Sequence, residues 1–205
     1  MKNKSVKTDV RTLTRLAILS AIIIIMTFTP IGYLKIGPVD ITFLMIPVAI
    51  GAIIIGPKGG LFLGAVFGLS SFITCFGISP FGAVILGINP ILTFILCFVP
   101  RVVMGWLVGF IFEGLSKIDR TNTISFAVSS LLAALINTVL FVGMLVLFFG
   151  NNPQLQQFLG VGSVIAIIGV LITFNALIEA GVCLVVGGAI SKALSHLYRH
   201  YVTKQ

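Results

Sequence analysis

Polar positions are rare along this chain, and they punctuate six long apolar runs. Read between the Pro, Gly and charged residues, the pattern predicts helices at about 13–29, 41–55, 61–76, 90–115, 123–149 and 161–190. The last run, VGSVIAIIGVLITFNALIEAGVCLVVGGAI, sets the scale. At about 1.5 Å per residue it more than crosses a ~30 Å hydrocarbon core, so it reads as a tilted transmembrane span. The second run is short and contains Pro47, and the third carries Gly64 and Gly68 four apart, a ridge over which another helix can approach closely. Between the runs lie a polar start (1–14), the loop YLKIGPVD (33–40), a tight turn GPKGG (56–60) and a Gly/Pro-rich stretch at 77–89 read as a loop with a short or broken helix. Polar loops at 116–122 and 150–160 and a basic tail at 191–205 complete the chain.

Composition turns this pattern into a solvent. The chain is 58% hydrophobic and 9% charged, with mean hydropathy +1.20. Soluble domains carry about 25% charged residues, so the expectation is an all-α integral membrane protein, one six-helix domain with no separate soluble part. Thirteen Lys and Arg against five Asp and Glu would suggest nucleic acid in a soluble chain; here placement decides otherwise. Eleven of the thirteen fall in the N-terminus as far as Arg15, the 56–60 turn (Lys58), the 116–122 loop (Lys117, Arg120) and the tail, whereas the opposite side has only Lys35. The positive-inside rule then puts both termini in the cytoplasm of a multi-pass protein. The basic start before an apolar run resembles a signal peptide, but after Ile25 the sequence continues MTFTPIGYL without a small-x-small cleavage site, so the run is read as a retained first span. Cys75, Cys97 and Cys183 are odd in number and set in apolar surroundings, which reads as packing, with neither metal spacing nor a disulfide framework.

The candidate chemistry lies in the few polar residues inside the runs. A carboxylate at bilayer depth costs about 2.5 to 3.5 kcal/mol on insertion scales, so Glu179 needs a partner, a proton or a wet cavity. Asn175 shares its helix face at i and i+4. Counted from the cytoplasmic ends of their runs, Arg101, Asn137 and Glu179 sit at roughly 17 to 21 Å, with Asn175 one turn higher. Convergence of three helices on one outward-opening cavity is the economical reading. Arg101 suits a carboxylate or phosphate in forked geometry, and Asn137, Asn175 and Glu179 supply amide and acceptor positions. Asn89 and Lys35 join them as candidate substrate contacts. The residues leave a second reading open, in which Arg101 and Glu179 are an ion pair joining two spans and Asn137 an interhelical hydrogen bond.

Other classes lack their parts. There is no Gly-rich phosphate loop and no His-Glu-x-x-His; both histidines, His196 and His200, lie in the tail. Asn89-Pro90 and Asn152-Pro153 are similar to water-channel half-helix motifs but read as helix starts or breaks. The inner halves of two runs, VVMGWLVGFIF and AGVCLVVGGAI, hold neither charge nor amide, which argues against a channel. A stand-alone carrier would rest its coupling site on Glu179 alone.

Ala17-Ile18-Leu19-Ser20-Ala21 is an A-x-x-x-A motif near the start of the first run. Together with six spans in about 200 residues and an outward polar layer, the chain resembles the substrate-binding S components of energy-coupling factor (ECF) vitamin transporters. The resemblance covers nearly the whole length, and is carried by DITFLMIPVAIGAIIIGPKGGLFLGAVFGL at 40–69, PRVVMGWLVGFIFEGL at 100–115 and the Asn-x-x-x-Glu of Asn175 and Glu179. It implies high-affinity capture of a vitamin at the cell membrane of a prokaryote. It also implies docking through Ala17 and Ala21 onto a membrane T component with two ATPase subunits, toppling in the bilayer, and a lid formed by 33–42. The expected partners are the vitamin, that module and the lipid bilayer, with no nucleic acid. ATP belongs to the partner subunits, and this chain is expected to hold no cofactor or metal and to be no enzyme. The 40–69 run is most similar to pantothenate-type members, and a single Arg at site depth suits a small carboxylate with hydroxyl and amide groups. Riboflavin, pyridoxine, hydroxymethylpyrimidine and folate types stay as alternatives.

Overall fold

The computed structural model describes residues 10–30, 32–35, 40–119, 123–171, 179, 181–183 and 185. Among them the chain forms helices α1 (Val10–Thr27), α2 (Met45–Ile55), α3 (Pro57–Thr74), α4 (Pro80–Ile88), α5 (Pro90–Leu115), α6 (Thr123–Phe149), α7 (Pro153–Leu159) and α8 (Val164–Leu171). Three of the described helices, α1, α5 and α6, are long and apolar enough to cross a membrane. Large apolar side chains stand exposed along them, among them Val10, Ile25, Ile91, Val139 and Leu147, as on a surface whose solvent is lipid. Residues 179, 181–183 and 185 are helical; the remainder of the 172–190 stretch, Asn175 included, and the 191–205 tail lie outside the described residues. The reading of 161–190 as one continuous span therefore falls largely outside them.

Four boundaries differ from the sequence pattern, each for a local reason. The 33–40 loop is half of an antiparallel ribbon, β1 (Tyr33–Lys35) with β2 (Asp40–Thr42), in the register Tyr33↔Thr42, Leu34↔Ile41 and Lys35↔Asp40. The described fold is thus helical apart from this ribbon. The 56–60 turn shrinks to one residue: Gly56, at φ 93°, reverses the chain and Pro57 already occupies the first turn of α3. The 77–89 stretch holds the regular helix α4, and the 150–160 loop holds α7. Both open with a capping side chain followed by proline: Ser79 Oγ accepts from the Gly82 N–H at 3.2 Å, and Asn152 Oδ1 from the Gln154 N–H at 2.9 Å. Leu155 and Leu159, four apart, bury the inner face of α7.

The helices enclose two apolar cores. One packs Ile23, Leu44, Met45, Leu63, Phe67 and Met104 with neighbours from α1, α2, α3, α5 and α6. The other packs Phe81, Ile85, Leu96, Leu145, Phe149 and Leu155 from α4 to α7. On α5 the switch from one core to the other occurs between Leu96 and Met104, and on α6 between Ala134 and Val142. The residues in those gaps include Arg101, Asn137 and Thr138, so a polar layer separates the cores.

The α3–α5 contact fixes the height of that layer. Gly60, Gly64 and Gly68 recur at four-residue spacing on α3 and meet the α5 backbone at Gly105, Arg101 and Phe98. Any Cβ at Gly60 or Gly64 would collide with a carbonyl oxygen of α5, so the two backbones touch directly.

Candidate ligand site

Arg101 is held in place by the proline before it. Pro100 lies inside α5 and has no N–H, which leaves the carbonyl of Leu96 without its helical donor. The Arg101 guanidinium fills that vacancy: Nη1 donates to the Leu96 oxygen at 2.8 Å. Its Cζ lies over the Phe141 ring, 4.6 Å from the centroid, and over the Phe67 ring at 5.5 Å, so two aromatic rings offer it cation–π contact. The residue is only 6% exposed, and its Nε–H is buried with no acceptor. A buried guanidinium with an unused donor has the chemistry to take an anionic acceptor.

Glu179 reads differently in three dimensions. Its Oε1 accepts from the backbone N–H of Thr42 at 3.0 Å, and its Oε2 from the Thr138 hydroxyl at 3.3 Å. Among the described residues no ion pair joins Arg101 to Glu179; their hydrogen bonds go elsewhere. The carboxylate instead ties β2 to α6. Thr42 can spare its N–H because the chain's neighbouring bond back to the α1 side uses Phe43, whose N–H donates to Gly32 at 3.0 Å.

Tyr33, at the start of the ribbon, turns its hydroxyl into the same space. The oxygen is buried with no partner at hydrogen-bonding distance, and burial pushes the phenol up to about 12 against the opposing pull of the Arg101 charge. It is therefore a neutral hydroxyl at any physiological pH. Asn137 Oδ1 is likewise buried and unpartnered.

These groups line one cavity. It is walled by Tyr33 and Thr42 of the ribbon, Ser71, Thr74 and Cys75 at the end of α3, Phe81 and Ile85 of α4, Cys97 and Arg101 of α5, Asn137, Thr138 and Phe141 of α6, and Glu179. About 70 Å³ is open to the centres of water molecules, enough for about five waters.

Of the residues singled out in the sequence, the structure brings Arg101, Asn137 and Glu179 together here. Asn89 is elsewhere in role: its Oδ1 accepts from the N–H groups of Ile91 and Leu92 at 3.0 and 3.1 Å, capping α5, and it does not line the cavity. Asn175 and the Lys35 side chain lie outside the described residues. Ala17 and Ala21 are exposed on α1.

Tyr33 and Thr42 of the 33–42 loop line the cavity, whereas sequence reasoning missed Ser71, Thr74, Thr138 and Phe141 as wall residues. Ser71 and Thr74 were visible as hydroxyls on an apolar helix. Such groups usually return to their own backbone, and Thr74 Oγ1 does donate to the Ser71 carbonyl at 2.7 Å. Among the described residues, no group of three or more His, Cys, Asp and Glu is placed to hold a metal ion.

Comparison with known proteins bears on what this cavity belongs to. A family profile described as the ECF transporter, substrate-specific component, matches residues 11–190. The chain is also 32% identical over 169 residues to the Pantothenic acid transporter PanT of Lactococcus lactis subsp. cremoris (strain MG1363), an alignment covering 77% of this chain and 79% of that protein.

Proposed function

The chain belongs to the family of substrate-specific components of ECF transporters, and we propose that it captures pantothenate from outside the cell and delivers it through a shared energising module. One observation carries the ligand: three buried polar atoms without partners, Arg101 Nε, Asn137 Oδ1 and Tyr33 Oη, belong to residues of one cavity. Together they ask for an anion, a hydrogen-bond donor and a hydroxyl partner. Pantothenate offers a carboxylate, an amide N–H and two hydroxyls within one small molecule. The name of the Lactococcus relative points the same way.

In this reading Arg101 takes the carboxylate, Asn137 the amide or a hydroxyl, and Tyr33 closes over the ligand with the ribbon. Glu179 contributes as the anchor of that ribbon. The six apolar runs are six spans of one domain in a prokaryotic cell membrane, with both termini cytoplasmic. Ala17 and Ala21 present a flat face for the T component, and the ATP is used by the two ATPase subunits attached to it. Ala17→Trp should then spare pantothenate binding by the isolated protein yet stop uptake by cells; normal uptake would remove the docking role.

Calorimetry on the detergent-purified protein tests the ligand. Saturable one-to-one binding of pantothenate is expected, with panthenol, whose carboxylate is replaced by an alcohol, at least about a hundredfold weaker. Equal binding of the two would take Arg101 off the carboxylate. Binding of riboflavin or pyridoxine in place of both would overturn the substrate.

A further inference from the structure

Two of the cavity's wall residues are thiols in contact. Cys75, at the C-terminal cap of α3, and Cys97, on α5, have their sulfurs 3.8 Å apart. Both line the ligand cavity, and Cys97 lies one helical turn before Arg101 on the same face. Buried cysteines in a core are ordinary packing residues, and Cys183, in the apolar core of α1, α2 and α3, is one. The Cys75–Cys97 pair differs in three respects: two sulfurs touch, they face a polar space, and a guanidinium sits beside them. Such electropositive surroundings are where thiols react.

We propose that Cys75 and Cys97 form a dithiol site in the cavity wall that is oxidised to a disulfide by small disulfides entering from the ligand side, and that the oxidised protein no longer captures its ligand. The idea rests on the ligand reading above. The exchange balances without any further reactant. The Cys97 sulfur, giving up its proton, attacks one sulfur of RS–SR; that bond breaks and RSH leaves with the proton. The Cys75 sulfur then attacks Cys97, the mixed bond breaks, and a second RSH leaves with the Cys75 proton. Two protein thiols are oxidised and one small disulfide is reduced.

The consequence is mechanical. The sulfurs must close from 3.8 Å to about 2.05 Å, which draws the end of α3 onto α5 at the level of Arg101. α4 follows, because Gly82 packs so tightly on Cys75 that an added Cβ would lie 2.8 Å from its sulfur. The neighbours of Gly82 in the wall, Phe81 and Ile85, move with it into a cavity that is already small.

The test uses the full-length protein in detergent, treated with 2-hydroxyethyl disulfide and then with dithiothreitol, with intact mass, peptide linkage and pantothenate affinity read at each stage. The expected result is a loss of two hydrogens, a Cys75–Cys97 linked peptide, and an affinity lower by about tenfold or more that returns on reduction. Cys183→Ser should respond as the unaltered protein does. Cys75→Ser should stop at a mixed disulfide on Cys97, seen as an adduct. Unchanged mass, linkage to Cys183, or a Cys75–Cys97 bond with undiminished affinity would each overturn the proposal. If untreated protein binds no pantothenate, the ligand reading fails on its own, and mass and linkage still decide whether the dithiol site exists.

Discussion

The two sides of the cavity are built by opposite means. On one side α3 and α5 meet backbone to backbone through Gly60, Gly64 and Gly105, with no side chain between them. On the other, the β1–β2 ribbon is tied across to α6 through a single carboxylate, by one bond of 3.0 Å and one of 3.3 Å. Contact between helix backbones resists loosening, because a gap of about 0.5 to 1 Å already forfeits roughly a quarter to a half of the attraction between close-packed surfaces. Two hydrogen bonds can break and reform, each having a net worth of about 1 kcal/mol, somewhat more to a charge. The fixed side carries Arg101, the group with the most demanding geometry, and the exchangeable side carries Tyr33 on the ribbon.

Four substitutions probe the contrast, in falling order of effect. Gly105→Leu drives a side chain into the carbonyl of Gly60 and should cost several kcal/mol, about 3 or more, so that little monodisperse protein is recovered; a well-behaved variant on size-exclusion chromatography would show the seam to be slack. Arg101→Ala leaves the seam intact and removes the buried cation, with an expected loss of about 3 kcal/mol, more than a hundredfold in Kd for pantothenate by calorimetry; unchanged affinity in a folded variant would defeat the site. Asn137→Ala removes one hydrogen-bond acceptor, for about tenfold in Kd. Glu179→Gln keeps an acceptor for Thr42 and can donate to Thr138, so the ribbon stays attached; stopped-flow measurements should show ligand release faster by only a few-fold. A loss as large as that of Arg101→Ala would mean that the carboxylate acts on the ligand itself, and the two sides would no longer differ in kind.

What was legible in the sequence was whatever a local rule controls. Long apolar runs without charges become helices wherever the solvent is lipid, because each backbone group must be satisfied within its own segment. That logic finds α1, α5 and α6. It underreads α4 and α7, whose Ser-Pro and Asn-Pro starts are helix signals even where the following residues are few or polar. Depth counting along separate helices picked out Arg101, Asn137 and Glu179, because a polar side chain in hydrocarbon is costly wherever it points.

Partnership was decided only by the tertiary structure. One-dimensional spacing makes Arg101 and Glu179 look like natural ion-pair partners, yet Arg101 turns to the Leu96 carbonyl freed by Pro100, and Glu179 turns to a ribbon that is 137 residues away at Thr42. Asn89 has the same amide as Asn137, and the helix N-terminus beside it claims that amide as a cap. The sequence by itself determined the long helices α1, α5 and α6 and singled out Arg101, Asn137 and Glu179 as the polar residues set in apolar runs, since burial in lipid and backbone hydrogen bonding act along the chain. Which polar atoms pair off and which stay open for a ligand depended on how closely the helices approach, and direct contact at Gly60, Gly64 and Gly105 is a property of two helices together.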